Sequence, residues 1–136
     1  MIRIENLSKA FDDKNILDNV SLHLSSQQTH VILGSSGSGK STLLRVVLGL
    51  LPYEKGNIFL DELSVSPKTQ ADVAKITGYV VQSVALFPHL TCADNVALVP
   101  HALRWEKSKI SRRIQELAEL VDLEITLLQK FPRQLR

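Results

Sequence analysis

Glycine, serine and one lysine with a diagnostic spacing occupy a short stretch in the first third of the chain. They read Gly34, Ser35, Ser36, Gly37, Ser38, Gly39, Lys40, Ser41 and Thr42. Glycines let backbone N–H groups close around phosphate oxygens, and a helix that starts behind them adds free donors and a positive dipole end. Lys40 brings a full charge to the phosphates, and the Ser41 hydroxyl can ligate Mg²⁺. The spacing therefore predicts a phosphate-binding loop.

The segments on either side of this loop are apolar. Residues 30–33 predict a short buried strand, and residues 43–50 predict a helix that ends near 49–52. The alternative is a Ser/Gly linker that contains a lysine by chance, but such a linker has polar and aperiodic flanks. The flanks therefore favour phosphate binding.

Other apolar runs predict four further strands, at 2–7, 20–24, 56–61 and 76–82. A phosphate-loop strand normally lies in a parallel sheet that is buried on both faces. Only 76–82 is a strong candidate for a buried strand after the loop, so the parallel core is predicted to be incomplete. Residues 63–72 are polar, contain Pro67 and predict a loop.

The second half of the chain is predicted to be helical. After an irregular segment at 84–90, Thr91 and Asp94 have the spacing of a capping box, and Pro100 is expected to break or kink the helix that follows. Two more helices are predicted, one amphipathic and one short, over 107–121 and 122–130.

Composition excludes several classes of function. The 136 residues carry a net charge of +2 with no basic stripe interleaved with aromatics, so nucleic-acid binding is not expected. One cysteine excludes an internal disulfide, and the four histidines lack metal-ligand spacing. No apolar run approaches the roughly 20 residues that span a bilayer. We therefore expect a cytosolic chain that reaches a membrane only through a partner.

In their order, these features resemble the N-terminal part of the ATP-binding subunit of ABC transporters, across the whole chain. Five stretches carry the resemblance. Residues 2–22 match the antiparallel start, 34–41 the Walker A motif and 56–61 a Gly-x-Ile-x-x-Asp strand. Gln82 matches the Q-loop glutamine, and 86–96 match an importer-like segment. Glu62 stands where the family usually has glycine. The resemblance implies an α/β fold of the P-loop NTPase class, an ABC-type nucleotide-binding domain with an N-terminal antiparallel β-subdomain and a helical subdomain.

The resemblance also implies roles for single residues. Residues 34–42 would bind the phosphates of ATP, and Phe11 would stack on adenine, although a core or turn phenylalanine is the alternative. Gln82 would act in catalysis by reaching Mg²⁺ and the attacking water. Ser41 and Gln82 would thus be the metal ligands, and ATP and Mg²⁺ the cofactors.

The partners follow from the same resemblance. Residues 83–91 would contact a transmembrane permease subunit, and a second ATP-binding subunit would complete a dimer. The chain would therefore lie in the cytoplasm, peripheral to the inner face of the cell membrane and not inserted in it. Around Pro100 and Trp105 the sequence is most similar to importers of osmoprotectants such as glycine betaine, carnitine and choline. The alternatives are a polar amino-acid importer ATPase and a non-catalytic regulatory fragment that binds nucleotide.

The end of the sequence departs from the family pattern. Leu135 would begin the ABC signature, but Arg136 stands at its serine position, and the Walker B aspartate and catalytic glutamate have no counterpart in the 136 residues. We therefore expect one incomplete nucleotide-binding domain over 1–136, with a β-subdomain and loop core over about 1–82 and a helical subdomain over about 83–136. This chain is expected to bind nucleotide without hydrolysing it efficiently, although the family is one of transport ATPases.

Overall fold

The alternating residues at the N-terminus form the long strand at the centre of an antiparallel sheet. The computed structural model describes residues 1–12, 14–82 and 85–135. The sheet has the order β2-β1-β3-β4, and its strands are β1 (Ile2–Phe11), β2 (Lys14–Leu24), β3 (Lys55–Leu60) and β4 (Leu63–Ser64). All its pairs in these ranges are antiparallel, which agrees with the prediction that the chain lacks a complete parallel core.

Strand β1 changes its register against both neighbours. The pairing with β2 shifts between Ile4 and Leu7, and the pairing with β3 shifts between Glu5 and Ser8. Asn6 lies at this point with φ 51°, a left-handed conformation that asparagine adopts more readily than most residues. An extra residue of this kind bends a strand and increases its twist. The irregularity also changes which side chains of β1 face the core.

Two helices cover the sheet and close the core of the first compact unit, Met1–Tyr79. They are α1 (Lys40–Val47) and α2 (Gln70–Ile76). In α1 the buried residues recur at helical spacing, so one face of the helix packs inward. The core consists of Ile4, Leu7, Leu17, Leu43, Val46, Val47, Ile58, Leu60, Val65 and Val73. Full burial of each such side chain contributes about 1.5–3 kcal/mol to the stability of the fold. Because α1 contributes to this core, the core fixes the helix and with it the loop that precedes α1.

The second compact unit, Val80–Arg136, is helical. It contains α3 (Cys92–Ala102), α4 (Lys107–Leu120) and 3-10 turns at Ile125–Gln129 and Pro132–Gln134. The predicted capping box at Thr91 is confirmed. Pro100 was predicted to break or kink helix α3; the helix runs through it, so the break does not occur. A proline this close to the helix end removes only one late hydrogen bond, and its carbonyl still accepts from Trp105 N–H at 3.0 Å.

Two predicted strands do not form. Residues 30–33 and 76–82 are not strands; instead Val31, Leu33 and Val80 are 73%, 87% and 95% exposed. A strand needs a neighbouring strand to take up its backbone hydrogen bonds, and none pairs with either segment within the described ranges. The apolar pattern identified segments that could be buried, but it did not show whether a neighbouring strand would pair with them.

The region predicted as a loop at 63–72 is also partly wrong, because it holds β4 and the start of α2. The Thr69 hydroxyl, just before α2, donates to the Ser64 carbonyl at 2.7 Å and accepts from the Ser66 N–H at 2.9 Å. These hydrogen bonds fix the turn before α2 without capping the helix, and composition alone does not distinguish such a turn from a loop. Helix α1 begins at Lys40, three residues before the predicted start, because the loop leads directly into it. Of the helices described, none is both long and apolar enough to cross a membrane.

Candidate functional site

The phosphate-loop prediction falls on the N-terminus of α1. Gly39 caps this helix with φ 91°, no side chain caps it, and no acidic residue lies in its first turn. Across the part of the chain that the structure describes, the N–H groups of Lys40, Ser41 and Thr42 donate to no protein acceptor. Such free donors, together with the positive end of the helix dipole, attract anions.

Lys40 holds the loop in a curve. Its ammonium donates to the Gly34 carbonyl at 2.9 Å, to the Ser35 carbonyl at 2.7 Å and, more weakly, to the Ser38 hydroxyl at 3.4 Å. An ammonium has three N–H donors, so these contacts use them all. They join the start of the loop to its end and keep a full positive charge beside the free N–H groups.

Gly39 is required at its position for two reasons. Its φ of 91° disfavours any residue with a Cβ. A Cβ added there would also lie 3.1 Å from the Ile16 carbonyl oxygen and 3.3 Å from Leu17 Cδ2. Strand β2 therefore packs directly against the loop backbone, and the fold positions the loop through this contact.

Phe11, the predicted adenine platform, lies in the same cleft as the loop. This cleft has a volume of about 250 Å³ and is lined by Phe11, Ile16, Gly37, Ser38, Gly39, Lys40, Ser41 and Thr42. Phe11 is 43% exposed, so its ring is open to a ligand and is not a core side chain. Gly34 and Ser35 line a neighbouring cavity of about 330 Å³, and Ser36 is exposed. Sequence reasoning missed Ile16, because an apolar residue in a strand gave no sign of facing the cleft.

The predicted metal ligands are divided between the two units. Ser41 lines the cleft in the first unit, whereas Gln82 is an exposed residue of the second, and each unit is described by itself. No cluster of three or more His, Cys, Asp or Glu side chains occurs in the residues that the structure describes. Mg²⁺ commonly takes one or two protein oxygens and completes its shell with phosphates and water. The single Ser41 hydroxyl, beside free N–H groups that can bind phosphate, fits this mode of Mg²⁺ binding.

The predicted permease segment is held by Asn95 in α3, a residue for which the sequence predicted no role. Its side-chain oxygen accepts from Phe87 N–H at 2.8 Å, and its amide donates to the carbonyls of Phe87, Leu90 and Thr91 at 3.1, 3.2 and 2.9 Å. Leu86 and Phe87 are nevertheless 47% and 51% exposed. The segment is thus fixed in its backbone but presents apolar side chains. Residues 83 and 84 lie outside the described residues.

Comparison with known families accounts for this arrangement of strands, loop and helices. The profile described as "ABC transporter" matches residues 17–135. The chain belongs to the ABC transporter family. The resemblance inferred from the motifs is thereby confirmed.

Curated relatives in the ABC transporter family match the chain over nearly all its length. The "Glycine betaine uptake system ATP-binding protein YehX" of Escherichia coli (strain K12) is 33% identical over 99% of this chain and 44% of its own length. The "Choline transport ATP-binding protein OpuBA" of Bacillus subtilis (strain 168) is 32% identical over 99% of this chain and 36% of its own. The "Spermidine/putrescine import ATP-binding protein PotA" of Thermotoga maritima is 39% identical over 98% and 36%. The chain therefore spans less than half the length of these relatives.

Solved structures in the ABC transporter family share the fold. The ATP-binding cassette MJ0796, in a dimeric post-hydrolysis state bound to ADP and Pi, superposes with a TM-score of 0.84 at 27% identity, over 100% of this chain and 63% of that one. A second dimeric structure of the cassette gives a TM-score of 0.85. The predicted fold class, an ABC-type nucleotide-binding domain with an antiparallel β-subdomain, is confirmed.

Proposed function

We propose that this chain binds ATP in the cleft between the Walker A loop and Phe11. The observation that carries the proposal is that one cleft is lined by the uncapped start of α1, the Lys40 ammonium and an exposed aromatic ring. The first two recognise phosphate oxygens, and the third offers a stacking face to a base. The cassette bound to ADP and Pi, which is similar in fold, supports the same assignment.

In this proposal each residue has a defined part. The N–H groups of Lys40, Ser41 and Thr42 donate to the phosphates, while the Lys40 ammonium exchanges its loop carbonyls for phosphate oxygens. Phe11 stacks on the adenine. Ser41 and Gln82 would hold Mg²⁺, which neutralises phosphate charge when bound. Residues 34–36 form the first part of the loop and give it its shape.

Equilibrium titration with a fluorescent ATP analogue tests the proposal. We expect saturable binding to the 136-residue chain and a loss of about a hundredfold or more in the Lys40→Ala variant, because two charge-assisted hydrogen bonds are removed. Lys68→Ala removes an exposed lysine from the same unit and is the matched control. Equal binding by the Lys40→Ala and Lys68→Ala proteins would show that the cleft is not the site.

For this chain we propose ATP binding and not ATP hydrolysis. The residues that line the cleft include no carboxylate, so the cleft itself supplies no general base for water. We expect ATP turnover by the 136 residues to stay at background. A turnover that Lys40→Ala abolishes would contradict this expectation.

At the level of the whole protein, we propose that the chain belongs to an ATP-binding subunit that powers import of an osmoprotectant. The curated relatives named for glycine betaine and choline transport support this substrate class. Polyamine import is the second candidate, because the spermidine/putrescine relative has the higher identity. Deleting the gene and measuring uptake of glycine betaine, choline and spermidine separates the two. Loss of spermidine uptake alone would reject the osmoprotectant assignment.

The partners in this proposal are a transmembrane permease and a second ATP-binding subunit. The permease would contact residues 83–91, whose described part exposes Leu86 and Phe87 on a backbone fixed by Asn95. Apolar side chains presented on a fixed backbone are typical of a docking surface. The domain would be divided near residue 82 into a β-subdomain with the loop core and a helical subdomain. Such a subunit would work at the inner face of the cell membrane.

A further inference from the structure

Lys9 occupies an unusual position for a lysine. Among the residues that the structure describes, it is the only charged one that is buried, with 6% exposure. Removing an ammonium from water is costly, by several kcal/mol, unless a partner compensates. An apolar residue at this point of β1 would fill the same space without that penalty, so fold stability alone does not account for the charge.

The partner of Lys9 is Glu54, which lies just before β3. The Lys9 ammonium donates to Glu54 Oε1 at 2.6 Å, and the Ala10 N–H donates to Oε2 at 2.9 Å. The Glu54 N–H in turn donates to the Ser8 carbonyl at 3.1 Å. The hydrogen bond from Lys9, followed by that from Ala10, lowers the pKa of the Glu54 carboxyl from its ordinary value. Glu54 thus fixes the last residues of β1 through three contacts.

The Lys9 ammonium also lies over the ring of Phe11, 4.9 Å from the ring centroid. The two residues are two positions apart on β1, so their side chains leave the strand on the same face. Phe11 lines the cleft of the Walker A loop, whereas Lys9 lines a separate cavity with Glu54. The Phe11 ring therefore contacts the Lys9 ammonium and also lines the cleft.

We propose that Lys9 and Glu54 form a positioning pair that orients the Phe11 ring for the adenine base. The inference rests on the proposed function and deepens it. Glu54 holds the Lys9 ammonium against one face of the ring, and that cation–π contact fixes the ring with its free face in the cleft. The pair contacts neither the base nor the phosphates. Its effect on ligand binding is therefore on the base and not on the phosphates.

The test compares two probes, ATP and inorganic tripolyphosphate, because only ATP carries a base. Lys9→Met keeps the length and apolar stem of the side chain and removes the charge. We expect it to weaken ATP binding about three- to tenfold and to leave tripolyphosphate affinity unchanged. The unfolding midpoint should change little, because the substitution removes the desolvation cost of the buried ammonium together with its contact to Glu54. Glu54→Gln should shift ATP binding in the same direction, and Lys9→Arg should restore it.

Arg3→Met is the matched control. Arg3 lies over the Phe59 ring at 4.4 Å from its centroid and pairs with Glu5, so it repeats the same arrangement on β1 away from the cleft. We expect no change in ATP affinity from this substitution. An Arg3→Met loss equal to that of Lys9→Met would overturn the proposal, since the effect would then be a general one on the sheet.

The remaining outcomes separate this inference from the proposed function. If wild type binds ATP, Lys40→Ala does not, and Lys9→Met binds like wild type, the positioning pair is rejected while ATP binding stands. Equal losses of ATP and tripolyphosphate in Lys9→Met reject it too, because a structural defect would explain both. If wild type binds neither probe, the proposed function itself fails.

Discussion

The two ends of the candidate cleft are built in different ways. The phosphate end is one contiguous segment, residues 34–42, whose donors belong to the backbone and to Lys40. The base end is a single side chain, Phe11, oriented by Lys9 and by Glu54, which is 45 residues away from Lys9 in sequence. A site made of local backbone depends on conformations that glycine permits, whereas a site made of side chains depends on the tertiary fold. The ends should therefore respond to different substitutions.

After the loss expected from Lys40→Ala, the largest effect is expected at the phosphate end from Gly39→Ala. A Cβ at φ 91° is strained by about 1–2 kcal/mol, and its contact of 3.1 Å with the Ile16 carbonyl adds to this. We expect the free energy of unfolding to fall by about 2 kcal/mol or more, and tripolyphosphate and ATP to bind at least tenfold more weakly. Denaturant unfolding and the two titrations measure these changes.

Gly78→Ala is the control for this prediction. Gly78 lies in the same unit, has no positive φ, and a Cβ there would meet nothing within 4 Å. The change should leave stability and binding near wild type, or slightly raise stability by reducing the freedom of the unfolded chain. If Gly39→Ala behaved like Gly78→Ala, the close packing of β2 on the loop would be refuted.

The same contrast explains what the sequence could predict. The phosphate end was predicted from spacing alone, since every residue that forms it lies within 34–42. Phe11 was predicted only from the family resemblance. The Lys9–Glu54 pair could not be predicted at all, because each residue alone looks like an ordinary surface charge. Contacts between distant segments leave no local pattern in one sequence.

The burial of Lys9 has an additional cause in the backbone of β1. Ile2 and Ile4 suggest that even-numbered residues face the core. The irregularity at Asn6 moves the inward face to odd-numbered residues, so Leu7 is 0% exposed and Lys9 is 6% exposed. One inserted residue in a strand reverses every side chain after it. A period-2 analysis that assumes an uninterrupted strand therefore places Lys9 in solvent.

For the segments 30–33 and 76–82 the error is the reverse, because they were predicted to be buried strands and are largely exposed instead. Their apolar runs were strong local signals, yet Leu33 and Val80 are 87% and 95% exposed. Strands 2–7 and 56–61 had weaker signals but did form, because β1 and β3 pair with each other. Strand formation was decided by the presence of a neighbour, which hydrophobic pattern does not encode.

A smaller effect is expected at the base end from Phe11→Ala. Loss of a stacking ring should weaken ATP binding about tenfold, by analogy with the roughly 1–3 kcal/mol that base–aromatic stacking contributes elsewhere. Tripolyphosphate affinity should not change, because no phosphate donor is touched. Phe11→Tyr retains the ring and is the matched control, with ATP affinity near wild type. A Phe11→Ala protein that lost tripolyphosphate binding as well would show that the two ends are not separable.

The smallest effect concerns pH and the contact that stabilises the base end. The hydrogen bond from Lys9 lowers the pKa of the half-exposed Glu54 carboxyl, so the folded chain binds that proton less readily than the unfolded chain does. The stabilisation is therefore complete above the ordinary carboxyl pKa and is lost as pH falls through the lowered value. Unfolding of wild type and Glu54→Gln should differ most near pH 7, and the difference should shrink as pH falls to about 3. In a Lys9→Met background the same comparison should depend less on pH. If the stability difference in the Lys9→Met background depended on pH as strongly as in wild type, Lys9 would not be the main partner of Glu54. The base end would then lack the long-range contact that distinguishes it from the loop.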